Sequence, residues 1–527
     1  MQPFEIIIAL LIVLAILVVL AQKLALPYPV LLVLAGLALS FVPGLPEIRL
    51  RPDVVFVLFL PPLLYPASLF TSWRDFRRNL QSILWLAIGL VLATMLTVAW
   101  AAHAFIPGLP WAAAFALGAI VSPPDAIAAT TIVRRLGVPR RIEAILEGES
   151  LVNDATALVA LQFAVAALVT GSFSLGHASL RFLYAGLGGT AVGLLVGYIL
   201  RWVQRHLDDP PVQITISLFT PFAAYLIADH LYMSGVLAVV AAGIYLGWHS
   251  PLTLSARTRL QAVTFWELIS FLLNGFIFMV IGLQLPGILQ ALRGEALSRL
   301  IGEGLLISAV VIAARILWVF PATYLPRLFS KKFCIEHPKQ SFGETAIVAW
   351  AGMRGVVSIA AAFALPFVLN NGQPFPGRSY ILFFTFCVIL STLVFQGLTL
   401  PALIRRLGVV DDGLTDEEER QARLEANRAA IDFIEEHATV DSLPHEIFDR
   451  LRAEYMERLE QLEACTKMTG NPTGEVLTPN FQRLQQSALN VERQTIIRLR
   501  NQNVINDEAL RRIQRDLDLA EARLSGA

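Results

Sequence analysis

Long apolar stretches recur along the first three quarters of the chain, broken by short polar connections. A bilayer's hydrocarbon core takes about 20 residues of helix. Thirteen stretches approach or exceed that length. They lie near residues 4–22, 29–43, 52–70, 80–106, 111–133, 142–170, 180–203, 212–229, 233–249, 263–291, 297–325, 343–369 and 379–404, the second and ninth being short. The pattern predicts an all-α polytopic membrane protein with about 13 transmembrane helices. The character changes after residue 407. LTDEEER places Thr415 three residues before Glu418, a capping-box pattern. Ile447, Leu451, Leu459 and Leu462 follow near helical spacing. A break at Thr469–Pro479 separates them from a last helical stretch. A cytoplasmic helical domain over 408–527 is therefore expected behind a membrane domain over 1–407.

Composition agrees, since 56% of the 527 residues are hydrophobic and only 16% charged. The net charge of zero hides an asymmetry. From Gly408 onward there are 15 Lys and Arg against 24 Asp and Glu, leaving 26 against 17 in the first 407 residues. Connections after odd-numbered stretches hold sixteen basic residues and the even-numbered ones six. Cytoplasmic loops collect Lys and Arg, so the N-terminus is expected outside and the C-terminus in the cytoplasm. No Lys or Arg precedes the first apolar run, so it reads as a retained helix, not a signal peptide. Cys334, Cys387 and Cys465 are too scattered for a disulfide framework or a metal site. No cofactor is expected.

Charges inside the apolar stretches carry the functional information, because a charge at mid-bilayer costs roughly 3 kcal/mol or more and faces protein or water. The fifth stretch holds VSPPDAIAATT, where Pro123 and Pro124 remove two amide donors at mid-span. A helix broken there must line a cavity or be buried. Asp125 could neutralise the positive ends of its halves; the plainer reading is a proline kink with a capping aspartate. The twelfth stretch holds AWAGMRGVVSIAAAFALP, with Arg354 between Gly352 and Gly355. Glycine permits unwinding, and the arginine would offset the negative ends of a second broken helix. The two stretches run in opposite senses, so they belong to inverted repeats with a binding site between them.

The sixth stretch holds GESLVND. Ser150 and Asp154 share one helical face, and a carboxylate with a hydroxyl offers two oxygens to a hard monovalent cation. Glu149 and Asn153 form the adjacent pair. The alternative is a polar seam between helices, although seams favour Ser, Thr and Asn over acids. In the eleventh stretch, VVIAARILWVF, Arg315 needs a buried partner; Glu149 fits, with a structural role.

These residues make the chain resemble the sodium/proton exchangers of the monovalent cation:proton antiporter-1 family, most of all the bacterial branch with a long cytoplasmic tail. The likeness covers nearly all of residues 1–407 through GESLVND, the Pro-Asp crossover, the arginine of the eleventh stretch and GMRG. It implies that Asp154 binds cation and proton, that Asn153 supports the site and that Ser150 is a further ligand. It implies a Glu149–Arg315 salt bridge and crossover charges at Asp125 and Arg354. It also implies a homodimer, with a core of stretches four to six and eleven to thirteen moving against a dimerisation unit. Two positions depart from relatives: Tyr65 and Pro66 stand where some carry an acid, and Pro124 where some carry threonine.

The expected activity is exchange of Na+, with Li+ or K+ as alternatives, for H+ in the bacterial inner membrane. Asp154 would be discharged by one ion or the other. Asn153 adds no second titrating charge, so exchange should be electroneutral, 1:1. Rival classes are weaker. An intramembrane hydrolase would need G-x-G-D, H-E-x-x-H or G-x-S-x-G in its spans, and these are absent. A channel would carry voltage-driven current without counter-ion dependence, and a sensor would need its tail.

Overall fold

The computed structural model describes residues 3–24, 28–41, 55–170, 175–292, 294–329, 341–369, 373–411, 413–437 and 445–468, with scattered positions after 490. It divides into two compact units, Met1–Asp411 and Asp412–Ala527. Among the described residues the chain is helical, apart from one isolated bridge between Val368 and Pro374.

Where it is described, each of the thirteen apolar stretches falls on helix, whole or broken, in the first unit. In order these are α1 (Pro3–Leu24), α2 (Tyr28–Leu39), α3 (Leu60–Phe70) and α4 (Leu80–Phe105). The fifth stretch is two half-helices, α5 (Trp111–Val121) and α6 (Ala126–Arg135). Then come α7 (Arg140–Thr170), α8 (Leu175–Gln204), α9 (Pro210–His230), α10 (Gly235–Thr253), α11 (Ala256–Leu283) and α12 (Leu297–Phe329). The twelfth stretch is again split, into α13 (Phe342–Trp350) and α14 (Val356–Phe363), and α15 (Arg378–Leu407) is the thirteenth. Nine of these segments are long and apolar enough to cross a membrane, and three shorter apolar helices accompany them, among the described residues. Local chemistry sets several starts: Ser234, Ser255 and Ser341 each accept a hydrogen bond from the amide three residues on.

Two apolar clusters organise the packing. The larger joins α4 to α7 with α12 to α15, and takes in α1, α2 and part of α11. The smaller joins α3, α8, α9 and α10 around Trp266 of α11. In the smaller cluster Gly189, Gly193 and Gly197 repeat every four residues along α8. A Cβ at Gly193 would collide with the Ala238 carbonyl of α10, and one at Gly189 with that of Ser234. Small residues thus let two backbones touch, where lipid offers no hydrophobic drive between helices. Polar seams occur here too: Thr258 donates to Gln213 at 2.8 Å and the Trp266 indole to Ser217 at 2.9 Å.

The tenth stretch ends differently from its sequence pattern. Helix α11 stops at Leu283, and a separate turn of helix runs from Leu285 to Ala291, with Pro286 at its start. In the second unit α16 (Leu414–His437) and α17 (His445–Met468) are tied by Arg428–Glu463 and Arg452–Glu435 pairs. Helix α16 begins at Leu414, so Thr415, expected as its cap, lies inside it. The expected break at Thr469–Pro479 lies outside the described residues.

Candidate functional site

The two broken helices cross at their breaks. The residues between α5 and α6 are 122–125, and those between α13 and α14 are 351–355. The Asp125 amide donates to the Met353 carbonyl at 2.7 Å, so the breaks bond to each other through backbone. Prolines at 123 and 124 have no amide to continue the first helix. The second unwinds at its glycines because side chains fill the space a Cβ would need. At Gly352 that space is taken by the Arg315 and Arg354 side chains, and at Gly355 by the Asp125 carboxylate.

Four half-helix ends meet here, and each finds a counter-charge. The Asp125 carboxylate accepts from the Ile127 amide at 2.9 Å and from that of Val356, so it serves the N-termini of both α6 and α14. It is a capping aspartate, as the plainer reading had it, and it also joins the two repeats. Arg354 is fully buried. Its guanidinium donates to Val121 at 3.0 Å and Ser122 at 3.4 Å, the terminal carbonyls of α5, and to the Gly352 carbonyl. The sequence placed this arginine at the ends of its own helix; the structure extends its reach to the other one. Its backbone amide is held by Thr392 of α15 at 3.1 Å.

Beside the crossing runs α7. Glu149 and Arg315 are 1% and 0% exposed and form a bidentate pair at 2.6 and 2.9 Å. Arg315 also donates to the Val348 carbonyl near the end of α13, at 3.0 and 3.2 Å. Asn153 is fully buried and donates to the Pro124 carbonyl at 3.4 Å, while its amide oxygen has no partner among the described residues. The Ser150 hydroxyl accepts from the Ala126 amide at 3.4 Å, at the start of α6. Asp154 is 3% exposed. Asp125, Ser150 and Asp154 all line one cavity of about 90 Å³.

Three features were not assigned from the sequence. Glu147 lies two turns before Asp154 on α7, lines the same cavity and accepts from Arg134 at 2.6 Å. Its seven-residue spacing from Asp154, which puts both on one helical face, was a readable signal. Asn274 of α11 and Ser358 of α14 also line the cavity, and single Asn and Ser residues in apolar runs carry little signal. Tyr65 does not line it among the described residues; its ring packs on Trp266 at 5.2 Å. A second, larger cavity of about 260 Å³ lies toward the other end of α7, among Gln162, Arg181, Tyr225 and Asp229.

Crossed broken helices in inverted halves, with charges buried at the crossing and a carboxylate beside it, define a membrane-embedded secondary transporter. The family described as sodium/hydrogen exchanger, transmembrane, matches residues 7–406. An uncharacterized Na+/H+ exchanger of Mycobacterium tuberculosis is 38% identical over 525 residues, covering 98% of this chain and 96% of that one. A sodium, potassium, lithium and rubidium/H+ antiporter of Bacillus subtilis is 38% identical over 389 residues, covering 72% of this chain and 58% of that one. The sodium proton antiporter MjNhaP1 of Methanocaldococcus jannaschii shares the fold, with a TM-score of 0.58 at 22% identity over 77% of this chain and 98% of that one. The chain belongs to the sodium/hydrogen exchanger family: it is a multi-pass membrane antiporter, not an enzyme.

Proposed function

We propose that the protein exchanges Na+ for H+, one for one, by alternating access, with Asp154 discharged by one ion or the other. The observation that carries this reading is the position of that carboxylate. It is buried on a cavity wall beside the crossing, and no hydrogen bond or ion pair reaches it among the described residues. The other buried charges are matched: Glu149 with Arg315, and Asp125 and Arg354 with helix ends. An unmatched carboxylate is costly to carry bare through a low-dielectric barrier. A proton or a cation removes that cost, so the reorienting state is an occupied one, and occupancy by one excludes the other. Ser150 is the second side-chain ligand and Asn153 braces the first break against α7. Asn153 brings no charge of its own, so each cycle moves no net charge.

The cavity runs from Asp154 toward Glu147 and Thr130, the end of the site nearest the basic 134–141 connection. By the charge bias of the connections this is the cytoplasmic side, with the N-terminus outside and the tail inside, in the bacterial inner membrane. In this reading the protein is a homodimer, residues 1–407 transport, and 408–527 form a cytoplasmic tail that regulates or clamps the dimer. A second reading, K+/H+ exchange, is favoured by the cavity wall: Leu60, Leu63 and Leu64 of α3 supply no oxygen, so few side chains fix the cation's size. The Bacillus subtilis relative is named for four cations.

The test is proton efflux from proteoliposomes on adding Na+, Li+ or K+ across a pH series. Asp154→Asn should accumulate as folded protein and exchange none of them. Exchange retained by that variant would refute the assignment.

A further inference from the structure

Two side chains in the Asp154 cavity have no role in the account above. Ser358 is 1% exposed and Asn274 3%. The Ser358 hydroxyl and the Asn274 amide oxygen have no hydrogen-bond partner among the described residues, and both residues line the cavity. A buried polar group left unpaired is costly, because it gives up its hydrogen bonds to water and gains none in return. Alanine and leucine would fill these positions in α14 and α11 without that cost, as they do at neighbouring positions of both helices. The two residues approach from separate elements. With Asp154 and Ser150 of α7, oxygens from three helices converge on a space of about 90 Å³. That is on the order of three water molecules at roughly 30 Å³ each. A cation retaining part of its water shell fits there, and a hard cation takes oxygen ligands such as carboxylates, amide carbonyls and water.

We propose that Ser358 and Asn274 are further ligands of the transported cation, acting directly or through its retained water, and that they supply the oxygens which α3 does not. The inference rests on the reading of Asp154 as the exchanging group. It carries a directional consequence. Ser358 follows the second break and belongs with Asp154 to the elements of the crossing. Asn274 lies on α11, outside those elements. If the crossing moves against α11, Ser358 stays with the ion in both orientations and Asn274 contacts it in one.

The experiment measures apparent KM for Na+ and Li+ from each face of oriented proteoliposomes, with Na+-induced thermal stabilisation of the purified protein as a readout independent of transport. Ser358→Ala should raise KM about fivefold from both faces, the equivalent of one lost hydrogen-bond-strength contact. Asn274→Ala should raise it similarly from the cytoplasmic face alone. Na+ should stabilise both variants less. If Ser358→Ala folds poorly, Ser358→Thr keeps the hydroxyl and must keep the parent KM, while Ser358→Cys must raise it. Parent KM values and parent Na+ stabilisation in both alanine variants, with Asp154→Asn inactive, would overturn the inference and leave the Asp154 assignment standing. Exchange by Asp154→Asn would instead overturn the assignment beneath it.

Discussion

Replacing Arg315 by methionine should cost the fold about 3–5 kcal/mol, the usual penalty for leaving one member of a buried ion pair without the other. The magnitude follows from the geometry. Both side chains are almost wholly shielded, at 0% and 1% exposure, so water does not screen the charge that remains. The guanidinium makes two contacts to Glu149 and two to the Val348 carbonyl, so its loss strands a carboxylate and a helix-end carbonyl together. Methionine keeps most of the apolar stem, so little of the cost comes from a void. Removing the second charge should restore part of the loss. The Glu149→Met, Arg315→Met double variant should be more stable than Arg315→Met alone, giving a coupling of about 2 kcal/mol or more in a double-mutant cycle. Reversible unfolding of the detergent-solubilised protein by titration with a denaturing detergent, followed by circular dichroism, reads all four corners. If Arg315→Met unfolds within about 1 kcal/mol of the parent, or the two substitutions simply add, the pair does not tie α12 and α13 to α7.

Other consequences follow from the same contacts. Gly355→Ala drives a methyl group into the Asp125 carboxylate; overpacking of this kind costs about 1–3 kcal/mol, and Na+-driven fluorescence dequenching in everted vesicles should collapse while the protein still reaches the membrane. Asn153→Asp places a second carboxylate beside Asp154, so its exchange rate should become sensitive to an imposed membrane potential, whereas the parent's should not; equal sensitivity in the two would contradict the one-for-one cycle. Gly193→Leu should separate α8 from α10 at the Ala238 carbonyl and lower the unfolding midpoint in the same detergent titration.

Much of the fold could be read in advance because lipid imposes one rule on every span. Apolar length placed all thirteen segments, and Pro123 with Pro124 located the first break, since a residue without an amide cannot continue the ladder. The second break was readable only from Gly352, Arg354 and Gly355 together, because glycine alone is compatible with an intact membrane helix. The Glu149–Arg315 pair could be anticipated from cost, as each charge required the other. What escaped the sequence depends on distances between segments far apart in the chain. Arg354 reaches the end of α5, more than two hundred residues earlier, and no local pattern records that. Asn274 and Ser358 escaped for a different reason: single Asn and Ser residues serve as helix glue throughout membrane proteins, and only the cavity beside them distinguishes these two. The end of α11 at Leu283 was missed because the apolar pattern runs on through Leu285–Ala291.

The most direct measurement of the central claim counts protons released when purified protein binds Na+ in weakly buffered detergent solution, using a pH indicator with calorimetry in parallel. Ligand binding to a protonated group must expel its proton. Release should approach one proton for each Na+ bound when Asp154 starts protonated, and Asp154→Asn should give neither binding heat nor release. Sodium binding to the parent protein with no proton released, at any starting pH, would contradict it.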